Sequence, residues 1–187
     1  VNEWWTSDEI NKITQQQIQD KARKHKFIIT EQILEKYNDY FIFSFVRNPF
    51  SRAVSCWNDK IKNKKNNFRA FQQFGLSSTN TTFLQYSKKI LKIDDFYAND
   101  HFTSQHFICS FNNKNFLDKY WKIEDEGSWG EFQTLMLNNK DLVIPDLPIL
   151  NRVEHAHYSS YYCKESVENI AKRYDKDLKF FGYEYGE

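Results

Sequence analysis

The chain has 187 residues, one domain's worth, enough to bury a core without disulfide or metal staples. Aromatic residues make up 18% of it, so the expected core is rich in Phe, Tyr and Trp. The 26 Lys and Arg nearly balance the 25 Asp and Glu, which excludes wholesale attraction to nucleic acid or anionic membrane and leaves any bound anion to a local cluster.

Along the chain, Thr6-Ser7-Asp8-Glu9 offers a helix cap with an acidic first turn, followed by a loose stripe of Ile10, Ile13 and Ile18. The basic stretch Lys21–Lys26, which contains His25, leads into Phe27-Ile28-Ile29, and Thr30 can cap a short helix carrying Ile33, Leu34 and Tyr37. Tyr40–Val46 is a short, nearly unbroken apolar run, the pattern of a strand buried on both faces in a parallel sheet. It stops at Arg47-Asn48-Pro49, where Asn is a favoured cap and Pro a favoured first helical residue. Phe50, Val54, Trp57 and Ile61 then recur at helical spacing and define a buried face.

Residues 62–81, polar and rich in Asn, Ser and Thr, are expected to form a surface loop or lid. A second helical pattern runs through Thr82–Ile93. Asp94–Gln105 reads as loop, Phe107-Ile108-Cys109 fits no single pattern, and Asn115–Ile123 holds another strand. Ser128 with Glu131 has the spacing of a capping box ahead of Phe132, Leu135 and Met136. Pro145 and Pro148 open a loop that runs to Tyr162, and Val167, Ile170, Ala171 and Tyr174 mark the last long helix, closed by Asp175–Tyr183. There is no internal repeat, so the expectation is a single domain over residues 1–187.

Cys56, Cys109 and Cys163 are too few and too scattered for a disulfide framework, and the odd count fits a reducing compartment. No apolar run approaches the roughly 20 residues of a membrane-spanning helix, and the opening VNEWWTSDEINKI is not a signal peptide. The wealth of Asn, Lys, Ile, Phe and Tyr points to an AT-rich genome.

The strand-turn-helix unit FVRNPFSRAVS carries the chemistry. A helix N-terminus offers unpaired N–H groups and the positive end of the helix dipole, and the C-terminal edge of a parallel strand is where ligands of open α/β folds collect. Arg47 at the strand end and Ser55 on the helix flank can converge on a phosphate, with Arg52 on the same side, away from Phe50, Val54 and Trp57. On these residues alone, a capped helix with solvated arginines is an equal reading.

The unit is similar to the 3′-phosphate-binding motif of the carbohydrate sulfotransferase family of Golgi type, which includes the heparan and chondroitin enzymes: a hydrophobic strand followed by R-N/D-P-x-x-R-x-x-S. Further segments match in order. Asp100-His101-Phe102-x-x-Gln105 resembles the family's His-aromatic-x-x-Gln segment, Tyr120–Glu124 its strand ending in Glu, and Leu147-Pro148-x-x-Asn151 its Leu-Pro loop. Tyr174-x-x-Asp177-x-x-x-Phe181-Gly182-Tyr183 resembles its closing segment. The resemblance covers roughly residues 21–183. It implies a three-layer α/β/α domain with a central parallel sheet, of P-loop-kinase-like sulfotransferase architecture. The implied reaction moves a sulfuryl group from 3′-phosphoadenosine 5′-phosphosulfate to a hydroxyl of a carbohydrate or glycoconjugate, with no metal.

Arg47 and Ser55 are the implied anchors of the donor's 3′-phosphate. Lys24-His25 stands where some members carry a catalytic histidine, and imidazole has the pKa to take a sugar hydroxyl's proton. His101, a competing base, and Gln105 are expected to contact the acceptor. Arg152 closes over the donor's phosphate or is a solvated loop arginine. His155 and His157 share one face if extended and with Glu154 mimic a metal pair, but no further ligand at sensible spacing accompanies them, so a metal site is not expected. Lys60–Lys65 with Phe68 and Phe71 has the make-up of a nucleic-acid patch, but the favoured reading is an anionic substrate groove or a solvated turn. The family's P-K-x-x-G/S-S/T-S/T turn, which holds the 5′-phosphosulfate, does not occur in the 187 residues and is expected before Val1. A non-catalytic binding relative that lost this turn is therefore the alternative. The expected compartment is the cytoplasm for a bacterial protein and the Golgi lumen for a eukaryotic one.

Overall fold

A computed structural model describes residues 31–62, 69–76, 80–112, 114–140, 142–146 and 156–186. Its contacts divide the chain into two units, residues 1–39 and 40–187, each taken by itself below. In the first, the described residues form the short helix α1 (Glu31–Lys36), extended by a bond from the Tyr37 N–H to the Ile33 carbonyl (3.1 Å). Thr30, its expected cap, lies outside the described residues, as does the expected helix around Ile10–Ile18.

In the second unit the order is β1 (Phe43–Val46), α2 (Pro49–Trp57), α3 (Arg69–Gln72), α4 (Phe83–Ile90), α5 (Gln105–Ile108), β2 (Ser110–Phe111), β3 (Lys114–Asn115), β4 (Lys119–Lys122), α6 (Ser128–Lys140), α7 (Lys164–Arg173) and α8 (Asp175–Phe181). Strands β1 and β4 pair in parallel, with Phe43 opposite Lys119 and Val46 opposite Lys122. Among the described residues the parallel sheet has these two strands, and β2 and β3 form a separate antiparallel pair. The domain is thus of mixed α/β type with a parallel sheet.

Alternation along the strands sends side chains to two different helices. Phe43, Phe45 and Trp121 meet Phe132 of α6, with ring centroids 4.8–5.3 Å from its ring. Val46 and Tyr120 face the other way, where Phe181 of α8, Tyr183 and Cys109 cover them. The expectation of a strand buried throughout needs correcting at its start, because Phe43 lies at the margin of the aromatic layer and stays 37% exposed.

The largest cluster joins α2, α4 and α7. Phe50, Val54, Trp57 and Ile61 are buried as their spacing predicts, and they pack with Tyr86, Ile90, Ile170 and Tyr174. Each such side chain removed from water contributes about 1.5–3 kcal/mol. Residues 62–81 are not simply a surface loop: Phe71 and Leu76 are buried in this cluster. The polar composition of the segment hid two core residues within it.

Helix ends follow local chemistry. Asn48 caps α2, and Thr82 with Gln85 forms a full capping box on α4. The box expected from Ser128 and Glu131 does not form, because Ser128 donates instead to the Lys122 carbonyl (2.6 Å) and Glu131 accepts from the Trp121 indole (3.2 Å). The last long helix is two helices, broken at Tyr174. The second ends at Gly182 with φ of 63°, the left-handed turn that glycine tolerates best.

Candidate functional site

The ladder between β1 and β4 closes with the Ile123 N–H donating to the Val46 carbonyl (2.9 Å). Beyond it, Arg47 and Asn48 are held by side chains from distant parts of the chain. The Gln105 side-chain amide meets both main-chain groups of Arg47: its Oε1 accepts the N–H at 2.8 Å and its Nε2 donates to the carbonyl at 2.7 Å. The Asn48 N–H donates to Glu124 Oε1 (2.8 Å), while Glu124 Oε2 accepts from the Tyr183 hydroxyl (3.1 Å).

Asn48 is 2% exposed, and its Oδ1 accepts the N–H groups of Phe50 (2.9 Å) and Ser51 (3.4 Å). This corrects the expectation of open N–H groups at the start of α2. The cap satisfies them, and Pro49 has none to offer. The groups left open on this helix are side chains on its flank rather than main-chain N–H groups.

Those side chains are Arg47, Ser51 and Ser55. The half-buried Arg47 guanidinium donates through Nη2 to Ser51 Oγ (3.0 Å). Burial holds its pKa below the ordinary arginine value, opposed by the negative charge of Glu124 and assisted by the positive charge of Arg52. An arginine so placed remains a cation at neutral pH. Ser55 follows Ser51 by four residues, on the same flank and about 6 Å further along the axis. Its hydroxyl has no hydrogen-bond partner among the described residues. Arg52, on that flank as expected, ties down the 99–104 loop by donating to the carbonyls of Thr103 (2.7 Å) and Asp100 (3.1 Å).

His101 is half-buried, and its ring stacks on Phe71 at 6.1 Å. Burial lowers its pKa below the usual 6.5, reinforced by Lys60 and Arg52 and countered by Asp100 and Asp59. Gln105, expected to face an acceptor, directs its amide at Arg47. Its own N–H and that of His106 donate to the fully buried carboxylate of Asp177 (2.9 and 2.6 Å). His25 and Arg152 lie outside the described residues, as do Glu154 and His155. His157 bonds Ser159 Oγ through Nδ1 (2.8 Å). No group of three metal-ligating side chains occurs among the described residues. A surface cleft of about 550 Å³ lies elsewhere, lined by Leu91, Lys92, Phe107, Lys172 and Lys176 among others, and includes none of the Arg47 cluster.

Sequence reasoning missed Ser51 as the partner of Arg47, although four-residue spacing from Arg47 and from Ser55 was there to find. It also left Glu124 and Asp177 without roles. A carboxylate just past a strand, and an Asp spaced three and four residues from Tyr174, Phe180 and Phe181, were the available signals.

A parallel strand ending in a half-buried arginine, followed by a capped helix with serine hydroxyls on its flank, defines a domain of α/β class. A family model described as the sulfotransferase family matches residues 3–184, nearly the whole chain, and the chain belongs to that family. Sulfuryl transfer is the chemistry of the family, whose members generally draw the group from 3′-phosphoadenosine 5′-phosphosulfate. Neither the curated proteins nor the solved structures contain a match to this chain. No helix among the described residues is long and apolar enough to cross a membrane.

Proposed function

We propose that this protein transfers a sulfuryl group from 3′-phosphoadenosine 5′-phosphosulfate to a hydroxyl of a carbohydrate or glycoconjugate, with Arg47 and Ser55 holding the donor's 3′-phosphate. The observation that carries the reading is the Arg47 guanidinium bonded to Ser51, on the flank where the Ser55 hydroxyl has no partner among the described residues. The planar guanidinium matches phosphate oxygens in two-point geometry, and the serine adds a neutral donor. The helices on opposite faces of the parallel strand pair support the three-layer, P-loop-kinase-like architecture that the motif order implies.

In the reaction, the acceptor oxygen attacks sulfur as the bond from sulfur to the 5′-phosphate oxygen breaks. The acceptor's proton passes to a base, and adenosine 3′,5′-bisphosphate leaves. Positioning and charge stabilisation supply most of the rate, as in phosphoryl transfer. His25 is the proposed base, on the position of Lys24-His25 ahead of the strand, and Arg152 a further contact to the donor. His101 and Phe71 border the place proposed for the acceptor.

Titration calorimetry with adenosine 3′,5′-bisphosphate tests the anchor. Arg47→Ala should weaken binding by about 1.5–3 kcal/mol, the range for losing a charged hydrogen-bonding partner, while adenosine 5′-phosphate should bind as before. Equal losses for both nucleotides would overturn the assignment. For His25, the alanine variant of an active protein should lose about 10²–10⁴-fold in kcat with donor affinity retained. Turnover at the parental rate would remove it as the base.

A further inference from the structure

We propose that Gln105 is a positioning residue for the donor anchor. Its side-chain amide extends strand β1 by one residue and thereby fixes the root of the Arg47 side chain. The inference rests on the reading of Arg47 as the 3′-phosphate ligand and deepens it.

Arg47 follows the last ladder bond of β1, where a buried peptide unit must find partners outside the sheet. The Gln105 amide supplies both at once, an acceptor to the N–H at 2.8 Å and a donor to the carbonyl at 2.7 Å. That is the pattern of a neighbouring strand's peptide group, delivered by a side chain 58 residues away. Only one orientation of the amide works, because exchanging O and N would set acceptor against acceptor and donor against donor.

Gln105 is itself held from behind. It is 9% exposed, and its N–H bonds the carboxylate of Asp177, which also accepts the His106 N–H. Ser104 Oγ accepts from the Phe107 N–H (3.2 Å), completing the first turn of α5. The next residue after Arg47 is tethered independently, its N–H bonded to Glu124. Two distant segments therefore fix two consecutive peptides, and the guanidinium that projects from between them reaches Ser51. The role differs from contact with an acceptor: Gln105 acts on the ligand through Arg47.

The test is a double-mutant cycle read by calorimetry with adenosine 3′,5′-bisphosphate. Gln105→Met keeps the side chain's length and removes both bonds. It should weaken bisphosphate binding about 10- to 100-fold, the scale of a misplaced binding group, and leave adenosine 5′-phosphate unchanged. In an Arg47→Ala background the same substitution should add nothing. Gln105→Glu retains the acceptor to the Arg47 N–H and loses the donor, so it should weaken bisphosphate binding by itself, and it serves as the readout where the Met variant does not fold.

Three results would overturn the proposal. The first is parental bisphosphate affinity in a folded Gln105→Met or, failing that, Gln105→Glu protein, in a molecule that Arg47→Ala does weaken. The second is a loss of equal size with and without Arg47, which would mean a structural role alone. The third is an Arg47→Ala protein with parental affinity, which overturns the anchor reading first and this proposal with it.

Discussion

At His101, burial and the nearby cations Lys60 and Arg52 all favour the neutral imidazole, against the pull of Asp100 and Asp59. The folded-state pKa thus lies below the unfolded value of 6.5. Above pH 6.5 both states are neutral and the residue costs nothing. As the pH falls through 6.5 towards the folded pKa, the unfolded chain takes up a proton that the folded one resists, and stability drops. His101→Gln should flatten the acid-side slope of a plot of Tm against pH below 6.5, leaving Tm at pH 8 little changed. Identical slopes would mean that the ring is solvated. Its place among charges was not legible in the sequence, since Lys60 and Arg52 stand more than forty residues away and only the packing of α2 and the turn after it against the 99–104 loop unites them.

At the scale of the element, α2 divides its labour by face. Phe50, Ala53, Val54, Cys56 and Trp57 are buried, while Ser51, Arg52 and Ser55 are only partly covered. Trp57 is pinned by its indole N–H, which donates to the Thr81 carbonyl (2.9 Å), and by Phe83 at 5.6 Å. Trp57→Ala should destabilise the fold by about 3–5 kcal/mol in denaturant unfolding, the cost of emptying a large aromatic site. An unfolding curve matching the parent would mean the helix faces the other way. This element was the most legible part of the chain because cap, proline and apolar spacing agree with one another. The capping box misassigned at Ser128 shows the opposite case. Local spacing suggested one partner for Glu131, and tertiary contact supplied another in Trp121. The Gln105–Arg47 pairing had no local signal either, since nothing about a glutamine in a loop announces a strand's missing neighbour.

For the molecule as a whole, Arg173 clips α7 to the segment before α5. Its Nη2 bonds Asp95 Oδ1 at 2.5 Å and the Phe102 carbonyl at 3.2 Å, and its side chain is nearly inaccessible. Burial alone would raise the Asp95 pKa, but hydrogen bonds from Arg173 and Ser104 outweigh it and hold the carboxyl below 3.8. Arg173→Met would strand that carboxylate, at a cost of about 3–5 kcal/mol in chemical unfolding. A loss below 1 kcal/mol would show the pair to be well solvated. With the carboxyl's folded pKa depressed, its contribution is present above pH 3.8 and fades as the pH falls through the folded value. The overall class was legible from the order of motifs, whereas the depth of the sheet was not, because an aromatic-rich run looks alike at a sheet's centre and at its margin. The covered strand face comes from α6 rings that no pattern around Tyr40–Val46 announces.

The two faces of α2 also make the protein its own optical probe. Trp57 looks into the large cluster from the helix whose opposite flank carries Arg47's partner Ser51, and Trp121 and Trp129 sit in the aromatic layer between sheet and α6. Indole emission depends on the ring's surroundings, so these three of the five tryptophans divide by cluster. With Trp4 and Trp5 replaced by Phe, Trp57 would register events on the proposed donor helix and the other pair the integrity of the sheet, letting ligand binding and unfolding be watched in one cuvette without an attached dye.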